Sequence, residues 1–227
     1  QEKTATGLRP LERGDNSQLL SEALQTAVRA DVILAALGEC AEMSGESASR
    51  TNPMIPIVQR DLLEALVATG KPVVLLLFTG RPLILNWEDA HVHSILNVWF
   101  GGSETGDAVA DVLFGKKSPC GKLTTTFPRS VGQLPLYYNH LNTGRPDSDA
   151  YVFNRYASNY LDESNEPLYP FGYGLSYTTF TYSNMQLSTE TLAEDGKLTV
   201  SVTVANEGDS DGTEIVQLYL RDIYAEI

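Results

Sequence analysis

Two unbroken apolar runs, Val32-Ile33-Leu34-Ala35-Ala36-Leu37 and Val73-Val74-Leu75-Leu76-Leu77-Phe78, each follow a stretch with helical spacing. A short apolar run without polar alternation is what a strand buried on both faces of a parallel sheet looks like. Before the first run, Leu19 to Ala30 puts Leu19, Leu20, Ala23, Leu24, Ala27 and Val28 on one stripe, with Asp15, Asn16 and Ser17 as N-cap candidates. Before the second, Val58 to Ala68 stacks Val58, Leu62, Leu63, Leu66 and Val67, and Gly70-Lys71-Pro72 ends the helix. Leu83 to Leu85 and Ile95 to Val98 are shorter apolar pieces, Gly106 to Phe114 reads as a third helix, and Lys122 to Phe127 is β-rich. Helix and strand in alternation predict an open, mostly parallel α/β sandwich with flavodoxin-like layering.

The pattern then changes. Val131 to Asn165 collects Pro, Asn, Asp, Tyr and Gly with no periodicity, as a long irregular arm does. Beyond Thr178, Leu198 to Val204 alternates with period two, Asn206-Glu207-Gly208-Asp209 makes a turn cluster, and Ile215 to Leu220 reads as another half-exposed strand. The expected division is residues 1–135 as the sandwich, 136–177 as arm and linker, and 178–227 as part of a β-domain. So few β-strands do not close a sandwich, so the β-section is expected to be truncated and the chain to be a piece of a longer protein.

Charge narrows the partners. Sixteen Lys and Arg against 29 Asp and Glu give a net charge of −13, which repels nucleic acid and anionic membrane. No stretch is apolar for long enough to span a bilayer, so no membrane insertion is expected. A neutral small molecule or polysaccharide is the easier partner. Cys40 and Cys120 have no metal-ligand spacing, and their pairing stays open.

Ligands of open α/β sheets bind beyond the carboxyl ends of the strands. The segment directly after the first strand, Gly38-Glu39-Cys40-Ala41-Glu42-Met43-Ser44-Gly45-Glu46-Ser47-Ala48-Ser49-Arg50, sets three carboxylates, small residues and one Arg at that place. By composition alone this is also what a solvated acidic loop looks like. Trp87, Trp99 and Phe100 are either core packing or sugar-stacking faces. His91, His93 and His140 are scattered and show no partner for catalysis. Gly101 to Gly106 lacks the spacing of a phosphate fingerprint, which argues against a nucleotide-binding domain.

The order of the motifs weighs against the plain reading as a solvated loop. Ser44-Gly45-Glu46, then Arg50, Asn52-Pro53 and a helix with Gln59 and Leu62-Leu63, resembles family-three glycoside hydrolases of the β-glucosidase type. So do Gly70-Lys71-Pro72-Val73, Gly80-Arg81-Pro82-Leu83, Trp99-Phe100-Gly101-Gly102, Gly106 with Ala110 to Gly115, Pro119 to Leu123, and Thr126-Phe127-Pro128. Tyr169 to Phe180 looks like that family's lead into a fibronectin-type-III-like module. The matches run in family order along nearly the whole chain.

The resemblance implies a retaining exo-β-glycosidase acting on β-linked glucosides or related oligosaccharides, without metal or cofactor. Its nucleophilic Asp would lie on an N-terminal barrel domain of the same parent chain. Glu46 matches the acid/base position, with Ser44 and Arg50 as substrate-binding candidates beside it. Glu39 and Glu42 stay open as rivals for that role, and Arg50 is equally suited to pair with one of the three carboxylates. The chain alone is expected to be inactive, and the resemblance points to a periplasmic or extracellular place. The rival reading is a non-catalytic carbohydrate-binding or protein-interaction module.

Overall fold

The computed structural model describes residues 2–4, 7–9, 16–140, 144–145 and 154–221, with backbone alone for the first two segments. The chain divides into two compact units, residues 1–103 with 126–170, and residues 104–125 with 171–227.

The first unit opens with a short antiparallel ribbon, β1 (Glu2–Thr4) and β2 (Gly7–Arg9). Then come α1 (Ser17–Val28), β3 (Ile33–Gly38), α2 (Ile57–Val67), β4 (Val73–Phe78), α3 (Asn86–His91) and β5 (Ser94–Asn97). Strands β3, β4 and β5 form one parallel sheet in that order, with Ile33 opposite Val73 and Leu77 opposite Asn97. A parallel neighbour needs a crossover connection, and α2 and α3 supply the two crossovers. The α/β class, both apolar strands and both preceding helices therefore stand as expected.

Asn16 occupies the N-cap of α1 but makes no side-chain cap bond. Asp15 lies outside the described residues.

Core packing follows the central strand. Leu63 of α2 is fully buried, as are Val73, Leu75 and Leu77 of β4 and Leu83 and Leu85 beyond it. Phe127 closes this core, 5.9 Å from the ring centroid of Trp99 and edge-on to Tyr169. The Lys122 to Phe127 segment was expected to be β-rich, yet it forms no strand; Phe127 bridges Tyr169 as an isolated pair. β3 also departs from expectation. It lies at the sheet edge and alternates buried and exposed residues, with Leu34 half exposed. An unbroken apolar run looks alike whether one face or both are covered, and here one face of β3 is open.

α3 belongs to no predicted helix. Its Trp87 ring carries the Arg60 guanidinium 3.9 Å from its centroid and stacks on His91 at 4.4 Å. Glu88 is buried and pairs with Arg60 at 2.9 Å. Burial raises the Glu88 pKa above its ordinary carboxylate value, and Arg60 only partly opposes that shift.

The second unit holds α4 (Thr105–Leu113) and an antiparallel pair, β6 (Phe180–Leu187) with β7 (Val200–Asn206). The register slips between Ser183 and Gln186, where Asn184 takes a left-handed backbone. The turn Gly172-Tyr173-Gly174 locks onto residues 121–123. Leu123 N donates to the Tyr173 carbonyl at 2.8 Å, and Gly172 N to the Leu123 carbonyl at 2.7 Å. A Cβ at Gly174 would lie 2.5 Å from the Gly121 carbonyl oxygen, so this turn needs glycine.

The strand expected over Ile215 to Leu220 does not form. Side chains hold the segment instead: Gln217 Nε2 donates to the Gly172 carbonyl, and Glu214 lies 3.6 Å from Lys122. No ladder partner is present for it among the described residues, and alternation alone cannot make a strand without one.

Candidate active-site loop

The loop begins where β3 cannot continue. Gly38 has φ +138°, and a Cβ there would stand 1.8 Å from the Phe78 carbonyl oxygen. Only glycine lets the chain leave β3 this close to β4. Gln59 of α2 holds the exit at both ends, accepting from Gly38 N at 2.7 Å and donating to the Gly38 carbonyl at 3.0 Å. Glu39 N donates to the Phe78 carbonyl at 2.7 Å.

Glu39 then turns inward. Its side chain has no solvent exposure, and both of its oxygens are engaged. Arg50 Nη1 donates to Oε1 at 2.8 Å, and Arg81 Nε lies 3.1 Å from the same oxygen. Thr79 Oγ1 stands 3.0 Å from Oε2, and Gly80 N donates to Oε2 at 3.3 Å. A buried carboxylate persists when cations and donors saturate it, and here two guanidiniums, a hydroxyl and a backbone amide do so.

Beyond Glu39 the chain makes a single 3-10 turn, Ala41–Met43, and then crosses the turn that follows β4. A Cβ on Gly80 would come within 1.9 Å of Ser44 Oγ and 2.9 Å of the Phe100 ring. Ser44, Gly80 and Phe100 therefore meet beyond the carboxyl ends of β3, β4 and β5. Phe100 is half exposed there. Arg81 Nη2 donates to the Met43 carbonyl and, at 2.7 Å, to the Ala48 carbonyl.

Glu46 occupies the exposed tip between those two anchor points. It is flanked by Gly45 at φ +109° and Ser47 at φ +57°, a left-handed conformation that a non-glycine residue holds only under constraint. Trp99, just after β5, is held at φ +54°. Such constrained residues cluster at functional sites, and in the first unit both follow the carboxyl ends of sheet strands.

The predicted residues thus separate. Glu46 and Ser44 lie on the loop over the sheet's carboxyl edge. Arg50 turns into the protein, its second nitrogen donating to the Met54 carbonyl at 2.9 Å. Glu42 lies in the 3-10 turn and is exposed. His93 Nδ1 accepts from Val73 N at 3.3 Å, and His91 Nδ1 lies 2.7 Å from the Trp87 carbonyl, so both serve local structure. Thr79, Gly80 and Arg81 organise the loop without having been site candidates. Their signals were position, directly after the second buried strand, and, for Gly80 and Arg81, membership of the Gly80-Arg81-Pro82-Leu83 motif.

The parallel sheet with helical crossovers defines an α/β domain that carries the clamped acidic loop at its carboxyl edge. Residues 3–177 match the glycosyl hydrolase family 3 C-terminal domain, and the chain belongs to that family. It is 55% identical over 209 residues to a periplasmic beta-glucosidase of Salmonella typhimurium, covering 92% of this chain and 27% of the relative. A beta-xylosidase of Formosa agariphila is 42% identical, with 91% of this chain and 27% of the relative covered. Among solved structures, a beta-glucosidase from Listeria innocua in complex with glucose superposes with a TM-score of 0.87 at 40% identity, covering 97% of this chain and 30% of that one. The chain thus spans under a third of the length of these relatives. No helix among the described residues is long and apolar enough to cross a membrane.

Proposed function

We propose that this chain supplies the acid/base carboxylate, Glu46, to a retaining exo-β-glycosidase that cleaves β-linked glucosides or related oligosaccharides. One observation carries the assignment. Of the loop carboxylates, Glu39 is sealed with both oxygens committed, whereas Glu46 stands exposed at the tip of a loop whose base is clamped. A general acid must reach the leaving oxygen in a fixed pose, which favours a clamped, exposed tip over the sealed Glu39.

Retaining hydrolysis uses two carboxyls about 5–5.5 Å apart, one attacking the anomeric carbon and one protonating the leaving oxygen and then deprotonating water. The attacking Asp is proposed to lie on an N-terminal barrel of the parent protein. Glu46 would donate its proton as the glycosidic bond breaks and take one from water as the glycosyl-enzyme opens. Ser44, two residues away, lines the same edge and is proposed to contact the sugar. Arg50 is proposed to hold the loop base through Glu39. The relatives' names support glucosides or xylosides as substrates, and that of the Salmonella relative supports a periplasmic place. The β6–β7 pair is proposed to open a fibronectin-type-III-like module, with the sandwich over 1–135 and the arm over 136–177.

The test is Glu46→Ala in the full-length protein. On an unactivated β-glucoside kcat/KM should fall by about 10²–10⁴-fold, the range of a lost general acid. Azide should partly restore turnover of an activated aryl glucoside, giving a glycosyl azide. Near-parent activity, or the same loss and rescue in Glu42→Ala instead, overturns the assignment. This chain alone should hydrolyse neither substrate.

A further inference from the structure

We propose that Arg81 is the positioning residue of the acid/base loop, its single guanidinium fixing where Glu46 sits. The inference rests on the reading of Glu46 as acid/base.

The loop carries two long backbone turn bonds. Its turn bonds are Met43 N to the Cys40 carbonyl at 3.0 Å, and Ser44 N to Ala41 and Ala48 N to Gly45, both at 3.3 Å. The last two lie beyond the usual amide range of about 2.7–3.2 Å. Nothing in these local bonds ties the two limbs of the loop to the sheet. Arg81 does. Nη2 donates to the carbonyls of Met43 and Ala48, three residues before Glu46 and two after it. Nε of the same side chain faces the sealed Glu39.

Arg81 is anchored in turn. Its backbone N donates to Thr79 Oγ1 at 3.2 Å, and that hydroxyl lies 2.7 Å from the Arg81 carbonyl. The charge on Glu39 thus orients the guanidinium, and the guanidinium orients both limbs. A planar fork with five donors serves three acceptors in different directions at once, whereas an ammonium presents three donors from one point. Shifts of about 1 Å at a reacting group lower rates by about 10²-fold, so the clamp is coupled to turnover even though Arg81 touches no reacting atom.

Arg81→Lys in the full-length protein tests this, because it keeps a cation against Glu39 while removing the fork. Rates are measured on aryl β-glucosides graded by leaving-group pKa. For the poorest leaving group, kcat/KM should fall by about 10²-fold. The most activated glucoside, which needs no proton, should keep its parent rate, so the plot against leaving-group pKa steepens. A general loss of fold would lower all substrates alike. Amide exchange of residues 44–48 should quicken in the same variant. Arg81→Met removes the cation as well and is the harsher companion; if it does not fold, Arg81→Lys decides alone. A folded Arg81→Lys with the parent slope and parent exchange overturns the inference. A parent slope in Glu46→Gln overturns instead the acid/base reading beneath it.

Discussion

Glu39→Gln isolates what the sealed carboxylate contributes. The substitution keeps shape and removes charge, leaving Arg50 and Arg81 with 19% and 22% of their side chains exposed and no buried anion between them. It also sets an amide NH2 against two guanidiniums and Gly80 N, none of which can accept. Breaking one side of a buried pair destabilises by about 3–5 kcal/mol. Both arginines keep some contact with water, which places the effect at the lower end, about 3 kcal/mol. For a chain of 150–250 residues, each kcal/mol moves Tm by about 2–4 °C, so a fall of roughly 6–12 °C is expected. Thermal unfolding by circular dichroism reads it directly. The fall should persist in high salt, since screening acts mainly on exposed charges. In the full-length protein, activity should drop with the loop geometry, and azide should restore nothing, because the proposed proton donor is still in place. An unchanged Tm, or rescue by azide, refutes the assignment of Glu39 to structure.

Gly80→Ala forces a methyl into the space of Ser44 Oγ and the Phe100 ring. Overpacking of this kind destabilises by about 1–3 kcal/mol, and turnover should fall more than KM changes because the displaced segment carries Glu46; parent kinetics would show that the loop is not seated on this turn. Glu88 has its folded pKa raised by burial above the ordinary 4.5. Its contribution to stability is therefore fully present below that value and is lost as pH rises through the folded pKa. Glu88→Gln should remove this loss, so the Tm difference between variant and parent should grow more positive from pH 4 to pH 7. A difference that stays constant or turns more negative contradicts the burial argument.

The sequence was most readable where hydrophobic period and chain punctuation agree. Val73 to Phe78 is a strand with the expected bounds, and Gly70-Lys71-Pro72 ends α2 where glycine and proline must. α3 escaped because its six residues, Asn86–His91, are too few for a stripe to repeat, and tertiary contacts through Arg60, Trp87 and Glu88 sustain it. The open face of β3 was illegible for a different reason: an apolar run carries no record of what covers it. In the loop, residue types pointed to the candidate site, since small residues and carboxylates follow a strand end. They did not separate Glu39 from Glu46. That distinction depends on Thr79 and Arg81, some forty residues downstream, which the parallel pairing of β3 with β4 brings alongside.

This pairing also explains how one loop holds two opposite carboxylate environments within eight residues. The register sets Gly38 against Phe78, so the first residue beyond each strand, Glu39 and Thr79, must also meet. The carboxylate nearest the strand end is drawn into the donors of the neighbouring turn and becomes a structural anion. Glu46 instead stands exposed at the loop tip, between the left-handed Gly45 and Ser47. Exchanging the roles would require Glu46 to enter a pocket already saturated by Arg50, Arg81, Thr79 and Gly80, while Glu39 left a fully enclosed position. On the proposed reading of Glu46, a chain built this way would fix its reactive group from below and leave the space above it to the rest of the active site.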